Sequence, residues 1–145
     1  MAKDFFSKDE QLRIVDSIKM AQANTSGEIQ LHLEEHCKGT ALERAVEVFE
    51  KIGMHKTALK NGVLFYLAVK DKKFAILGDS GINNVVPAHF WDDIKERMHQ
   101  QFVEGNFCIG VCDGILKAGE QLKAHFPYQT GDFNELSDEI SFGNN

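Results

Sequence analysis

The stretch Asn61-Gly62-Val63-Leu64-Phe65-Tyr66-Leu67-Ala68-Val69-Lys70-Asp71-Lys72-Lys73-Phe74-Ala75-Ile76-Leu77-Gly78-Asp79-Ser80-Gly81-Ile82 decides the fold. The unbroken apolar run from Val63 to Val69 has no polar face to offer water, so a strand built from it must be covered on both sides. That is the situation at the centre of an α/β sheet. Asp71-Lys72 makes a short turn into Lys73–Gly78, an antiparallel partner, and Gly78-Asp79-Ser80-Gly81 then leaves the sheet as a polar loop.

Upstream, Glu28 to Glu34 alternates, with Ile29, Leu31 and Leu33 on one face and Gln30 and His32 on the other. This predicts a strand with one buried face at or near a sheet edge, and a solvated His32. Between the two strands, Thr40-Ala41-Leu42-Glu43 has capping-box form, and Leu42, Ala45, Val46, Phe49 and Ile52 mark one helical face. Gly53 stands where a left-handed residue ends such a helix. Strand, helix, strand implies a right-handed parallel crossover, and the hairpin follows it.

Ser7-Lys8-Asp9-Glu10 is a second capping box, opening a helix through Leu12, Val15 and Ile18 to about Gln22. Pro87 suits a first helical turn before Phe90, Ile94 and Met98, while Asp92 and Asp93 fit the positive end of the helix dipole. Gly105-Asn106 starts a last helix whose stripe is Cys108, Val111, Ile115 and Leu122. Cys108 and Cys112 share a face of it and read as core thiols. The expected fold is α/β: a small mixed sheet, made of a β-α-β parallel crossover and an antiparallel hairpin, sandwiched by about four helices. One domain over residues 1–126 would be followed by an acidic, flexible tail over 127–145.

The chain has 145 residues, enough for one domain with a real core. Its net charge of −6 argues against a sequence-independent grip on nucleic acid or an anionic membrane. The first residues lack a signal peptide's apolar run, and no later stretch approaches membrane-spanning length, so the expectation is a cytoplasmic protein with no membrane insertion. Three cysteines without close CxxC spacing fit reduced thiols there.

Topology places the candidate site. In a parallel crossover the entries of strands 28–34 and 62–69 lie at one end of the sheet, and the hairpin returns the exit of strand 73–78 to that end. Three polar segments should therefore converge: Thr25-Ser26-Gly27-Glu28, the loop Met54 to Asn61 with His55 and Thr57, and Gly78-Asp79-Ser80-Gly81. Asp71 belongs to the opposite end. Glu28 and Asp79, with carbonyls of the glycine loop, would suit Ca²⁺ or Mg²⁺, whereas His55 would draw the choice toward a transition metal. Ser26, Thr57, Asn61, Ser80 and Gly81 complete the binding loops. Two carboxylates and a histidine could also serve acid–base chemistry. The plainer reading of the same residues is as caps and turns, with Asp79 bonding local N–H groups. No nucleophile elbow, P-loop or HExxH signature is present. In the tail, Phe133, Leu136, Ile140 and Phe142 stand among acids, as in a segment that docks on its own domain or on another protein.

Ser26-Gly27-Glu28-Ile29, Asn61-Gly62-Val63-Leu64, the basic Lys72-Lys73 hairpin and Gly78-Asp79-Ser80-Gly81-Ile82 together resemble the TPM-domain family. Phe102-x-x-Gly105-Asn106-Phe107, followed by Gly110 and Gly114, is similar to that family's C-terminal helix motif. The resemblance covers roughly residues 5–125 and implies a compact α/β sandwich. The family includes thylakoid-lumen proteins linked to photosystem repair, with acid phosphatase activity and calcium binding attributed to some members. Others are exported or membrane-anchored bacterial proteins, and this chain looks like a short, soluble bacterial member. Pro87 stands near where many members carry an aspartate after the glycine loop. The sequence thus points to a protein-interaction module, with another protein as partner and a divalent cation at the loop end. The alternative is a cation-assisted phosphatase acting on a phosphomonoester.

Overall fold

The computed structural model describes residues 1–128 and 136–143. The elements run α1 (Lys8–Gln22), β1 (Glu28–Glu34), α2 (Ala41–Lys51), β2 (Gly62–Ala68), β3 (Lys73–Gly78), α3 (Ser80–Asn83), α4 (Asp92–Val103), α5 (Phe107–His125) and β4 (Ser141–Phe142). Both helix starts are capped, but only the first as a complete box; at the second Glu43 accepts from the Thr40 hydroxyl at 2.9 Å instead of from its N–H. Ser7 accepts from the Glu10 N–H while Glu10 accepts from the Ser7 N–H, and Thr40 accepts from the Glu43 N–H.

The sheet has strand order β3-β2-β1-β4. β1 and β2 are parallel, with Glu28 opposite Gly62 and Glu34 opposite Ala68; β2 and β3 are antiparallel, with Val63 opposite Gly78. The mixed α/β sandwich expected from the sequence is what forms. On one face, Ile29, Leu31 and Leu33 join Val63, Phe65 and Ile76 against α1, α4 and α5, through Ile14, Ile18, Met98, Ile115 and Leu122. On the other, Leu64, Tyr66 and Ala75 meet α2 through Ala45, Val48 and Phe49. Helices α1 and α5 approach so closely that a Cβ on Gly119 would meet the Ala21 backbone at 2.7 Å. That position is closed to any larger residue.

Leu12, Leu42 and Val46, expected on the apolar helical stripes, are exposed, and three further features depart from the sequence reading. First, β1 is an interior strand, buried over all seven residues, and His32 is only 5% exposed rather than solvated. The cause lies more than a hundred positions downstream, where part of the stretch expected as a tail is built into the sheet. Ser141 and Phe142 pair in parallel with His32 and Leu33, and the Gly143 N–H donates to the Leu33 carbonyl at 2.8 Å. Leu136 packs against the α2-side core and Ile140 against the larger one, while Phe142 stays partly exposed. Phe133 lies outside the described residues. Second, Ser80–Asn83 forms a short helix, capped by Asp79, where the glycines read as a loop. Third, the helix after Pro87 begins only at Asp92, because His89 adopts a left-handed φ of 66° that a helix cannot contain.

Candidate functional site

The three polar segments do converge at one end of the sheet, and the contacts between them are mostly backbone. The Glu28 N–H donates to the Asn61 carbonyl at 3.3 Å, the Asp79 N–H to the Gly62 carbonyl at 3.0 Å, and the Gly81 N–H to the Lys60 carbonyl at 2.8 Å. The Asn61 amide reaches Ser26 Oγ at 3.4 Å, and buried Thr57 accepts from the Asn61 N–H at 3.3 Å. Gly81 is required by space: a Cβ there would meet the Leu59 carbonyl oxygen at 2.2 Å. The loop 57–61 therefore lies directly on the start of α3.

Two atoms at this end are anomalous. Among the described residues, the buried side-chain nitrogens and oxygens without a hydrogen-bond partner are His55 Nδ1 and Asp79 Oδ2. Asp79 uses its other oxygen, Oδ1, to accept from the Ser80 N–H at 2.7 Å as the cap of α3. His55 belongs to the same loop as Lys60, whose ammonium donates to the His55 carbonyl and whose own carbonyl holds Gly81. A buried polar atom left unpaired costs about 1–3 kcal/mol, so these two atoms set this end of the sheet apart.

Glu28 is turned to a different task. Its Oε1 accepts from the Leu136 N–H at 2.6 Å, which commits the carboxylate to the returning C-terminal segment. Among the described residues no three His, Cys, Asp or Glu side chains are grouped closely enough to hold a metal ion by themselves. Ser80 and Gly81 belong to α3, and their N–H groups are already taken, by Asp79 Oδ1 and by the Lys60 carbonyl. Asp71 sits at the far end, as the topology required, bonded to His36 and to the Cys37 N–H.

A second polar cluster was missed by sequence reasoning. Glu28, Gln30, His32 and Glu34 line one face of β1, and the C-terminal segment covers them. The Gln30 amide donates to the Ser137 carbonyl at 3.0 Å, and His32 Nδ1 pairs with Ser141 Oγ at 2.8 Å. His32 Nε2 lies 3.2 Å from Glu34, and its ring stacks with Tyr66 at 6.1 Å between centroids. Glu34 is fully buried yet receives the Arg44 guanidinium and, at 2.6 Å, the Tyr66 hydroxyl. Burial alone would raise its pKa, but the bonds from Arg44, Tyr66 and His32 outweigh that and hold the carboxyl below its usual range. Burial pushes His32 down, so its neutral form is favoured, and pushes the Tyr66 phenol up. Beside this cluster is a cleft of about 440 Å³ lined by Arg44, Lys51, Ile52 and Ser141. The alternation of Glu28, Gln30, His32 and Glu34 was visible in the sequence; the segment that covers it was not.

Cys108 and Cys112 lie with sulfurs 4.0 Å apart on α5, and burial, then its neighbour Cys112, pushes the Cys108 thiol up to about 12. That suits core packing rather than reactivity.

Comparison with known proteins agrees with this architecture. The family model described as TPM domain matches residues 2–121. The NMR structure of the BA42 protein from the psychrophilic bacterium Bizionia argentinensis is 47% identical, covers 96% of each chain, and superposes with a TM-score of 0.90. Two more distant NMR structures share the fold alone. One is the N-terminal domain of a P. gingivalis protein (17% identity, TM-score 0.66, covering 83% of this chain and 78% of that one). The other is the N-terminal domain of the cg2496 protein of Corynebacterium glutamicum (11% identity, TM-score 0.66, covering 91% and 82%). No curated protein matches the sequence.

Proposed function

We propose, from the premise that this chain belongs to the TPM domain family, that it is a binding domain that engages another protein through the loop end of its sheet, with a divalent cation held there. The observation that carries this reading is the pair of unpartnered buried atoms, Asp79 Oδ2 and His55 Nδ1, at the end where the three polar segments meet. Asp79 supplies a hard anionic oxygen, His55 a borderline nitrogen, and the remaining ligands would be backbone carbonyls and water. A site with so few side-chain ligands binds weakly, in the range of about 10⁻⁴–10⁻³ M typical of low-affinity Ca²⁺ modules. Exposed Leu59 and Val85 bracket α3 beside it and give a partner apolar area to cover. None of the described helices is long and apolar enough to cross a membrane.

The unpartnered His55 also favours a second reading, a cation-assisted phosphatase, in which the ion offsets charge on the phosphoryl oxygens and His55 moves a proton. Asp79→Asn separates both readings from a purely structural loop, because Asn keeps the cap of α3 while removing the charge. Isothermal titration with Ca²⁺, Mg²⁺ and Zn²⁺ should show saturable binding to the native chain and at least tenfold weaker binding to the variant. Equal affinity would refute the site. Release of phosphate from p-nitrophenyl phosphate that depends on both Asp79 and the ion would favour the enzyme.

A further inference from the structure

At the opposite end of the sheet, between the β2–β3 hairpin and the turn from α4 into α5, lies a cleft of about 310 Å³. Its walls are Phe5, Leu67, Phe74, Phe102 and Phe107, and its polar groups are Lys72 and His99. We propose that this cleft binds a small amphipathic carboxylate, the size of a medium-chain acyl chain, with its hydrocarbon against the phenylalanines and its carboxylate on Lys72.

Three observations carry it. The aromatic side chains form a continuous wall: Phe74 meets Phe102 edge-on at 5.1 Å, Phe102 stacks on Phe107 at 5.5 Å, and Phe107 meets Phe5 edge-on at 5.3 Å. These four rings are only half-buried, and Val103 at the rim is 72% exposed, so apolar surface that could be covered faces the cleft. The volume is at the small end of ligand pockets, which run from about 300 to 1,000 Å³. That size selects a short chain over a lipid or a peptide.

Charge supplies the third. The hairpin carries three lysines in four positions, and two are engaged: Lys70 pairs with Glu35 at 3.2 Å, and Lys73 donates to the Cys37 and Gly39 carbonyls. Among the described residues Lys72 has no such partner, although it lines the cleft. Its left-handed φ of 54° fixes it at the tip of the turn, beside the aromatic wall. In a chain of net charge −6, a cation with no carboxylate partner among the described residues, at the mouth of an apolar cleft, is complementary to an anionic head group.

The test is an NMR titration of the full, isotope-labelled chain with hexanoate, octanoate and octanol, each below micelle-forming concentration. Saturable shifts should centre on Leu67, Val69, Phe102, Val103 and Phe107. Each added methylene should tighten binding about fourfold until the cleft is full. Octanoate should bind more tightly than octanol, and Lys72→Asn should abolish that preference while leaving the free protein's spectrum otherwise native. Asn tolerates the left-handed turn position, so the variant keeps the hairpin. Absent shifts, shifts centred elsewhere, affinity indifferent to chain length, or a preference for octanoate that survives in Lys72→Asn would each overturn the proposal.

Discussion

Replacing Arg44 by Ala should reveal how the polar face of β1 is held inside the protein. Glu34 is 0% exposed, and its two oxygens take bonds from Arg44 Nε at 3.2 and 3.1 Å, from Arg44 Nη2, from Tyr66 and from His32. Breaking a buried ion pair by removing one partner costs about 3–5 kcal/mol when nothing compensates. Here two donors remain, and the Arg44 side chain is 23% exposed, so water enters where the guanidinium was. The expected loss is therefore about 2–3 kcal/mol at neutral pH. Ala is as good a helix former as Arg, so α2 itself is not weakened. With an unfolding entropy of about 0.3 kcal/mol per kelvin for a chain of this length, Tm should fall by about 7–10 °C.

The pH dependence distinguishes a charge effect from lost packing. In the native chain the folded pKa of Glu34 lies below its unfolded value, so its stabilisation is present at neutral pH and lost as pH falls through the folded pKa. Without Arg44, desolvation dominates and the folded pKa rises above the unfolded one, so protonation relieves the variant. The difference between native and Arg44→Ala should thus be largest near pH 7 and shrink toward about pH 4. Urea denaturation at both pH values reads it directly. A loss below about 0.5 kcal/mol, or one that does not change with pH, would refute the reasoning.

Other perturbations follow from the same geometry. A chain ending at residue 135 loses β4 and the burial of Leu136 and Ile140, which should leave the domain folded but lower stability by about 2–4 kcal/mol; unchanged thermal denaturation would show that the segment adds nothing. Burial holds the folded pKa of His32 below 6.5, so the unfolded chain binds more protons and stability should decline as pH falls below about 6.5. His32→Gln should flatten that part of the stability–pH curve, and an identical slope in the variant would contradict it. Gly81→Ala drives a methyl into the Leu59 carbonyl oxygen at 2.2 Å, and should cost at least about 2 kcal/mol by displacing the 57–61 loop; a crystal structure with that loop unmoved would count against the close approach.

Much of this architecture is legible in local chemistry. The Ser7 and Thr40 boxes fix two helix starts, the unbroken run in β2 fixes a central strand, and the parallel crossover dictates that Ser26, Asn61 and Asp79 meet at one end. What escapes is whatever depends on a distant partner. His32 reads as solvated because alternation reports which face is polar, not whether something covers it, and the covering Ser141 lies 109 positions away. Glu28 reads as a loop-end carboxylate beside Asp79, and only the structure shows that its Oε1 also accepts from the Leu136 N–H, 108 positions away. A two-residue strand such as Ser141–Phe142 has too little pattern to announce itself, and pairing with β1 defines it. Asp79-Ser80-Gly81 carries turn chemistry, yet Asp79 uses it to cap one helical turn.

The most direct measurement is an NMR titration of the labelled chain with Ca²⁺, Mg²⁺ and Zn²⁺, reversed by a chelator. A cation at the loop end predicts saturable shifts confined to residues 54–61 and 78–81, centred on His55 and Asp79 and lost in Asp79→Asn. No saturable change there with any of the three ions, or shifts that persist in the variant, would contradict it.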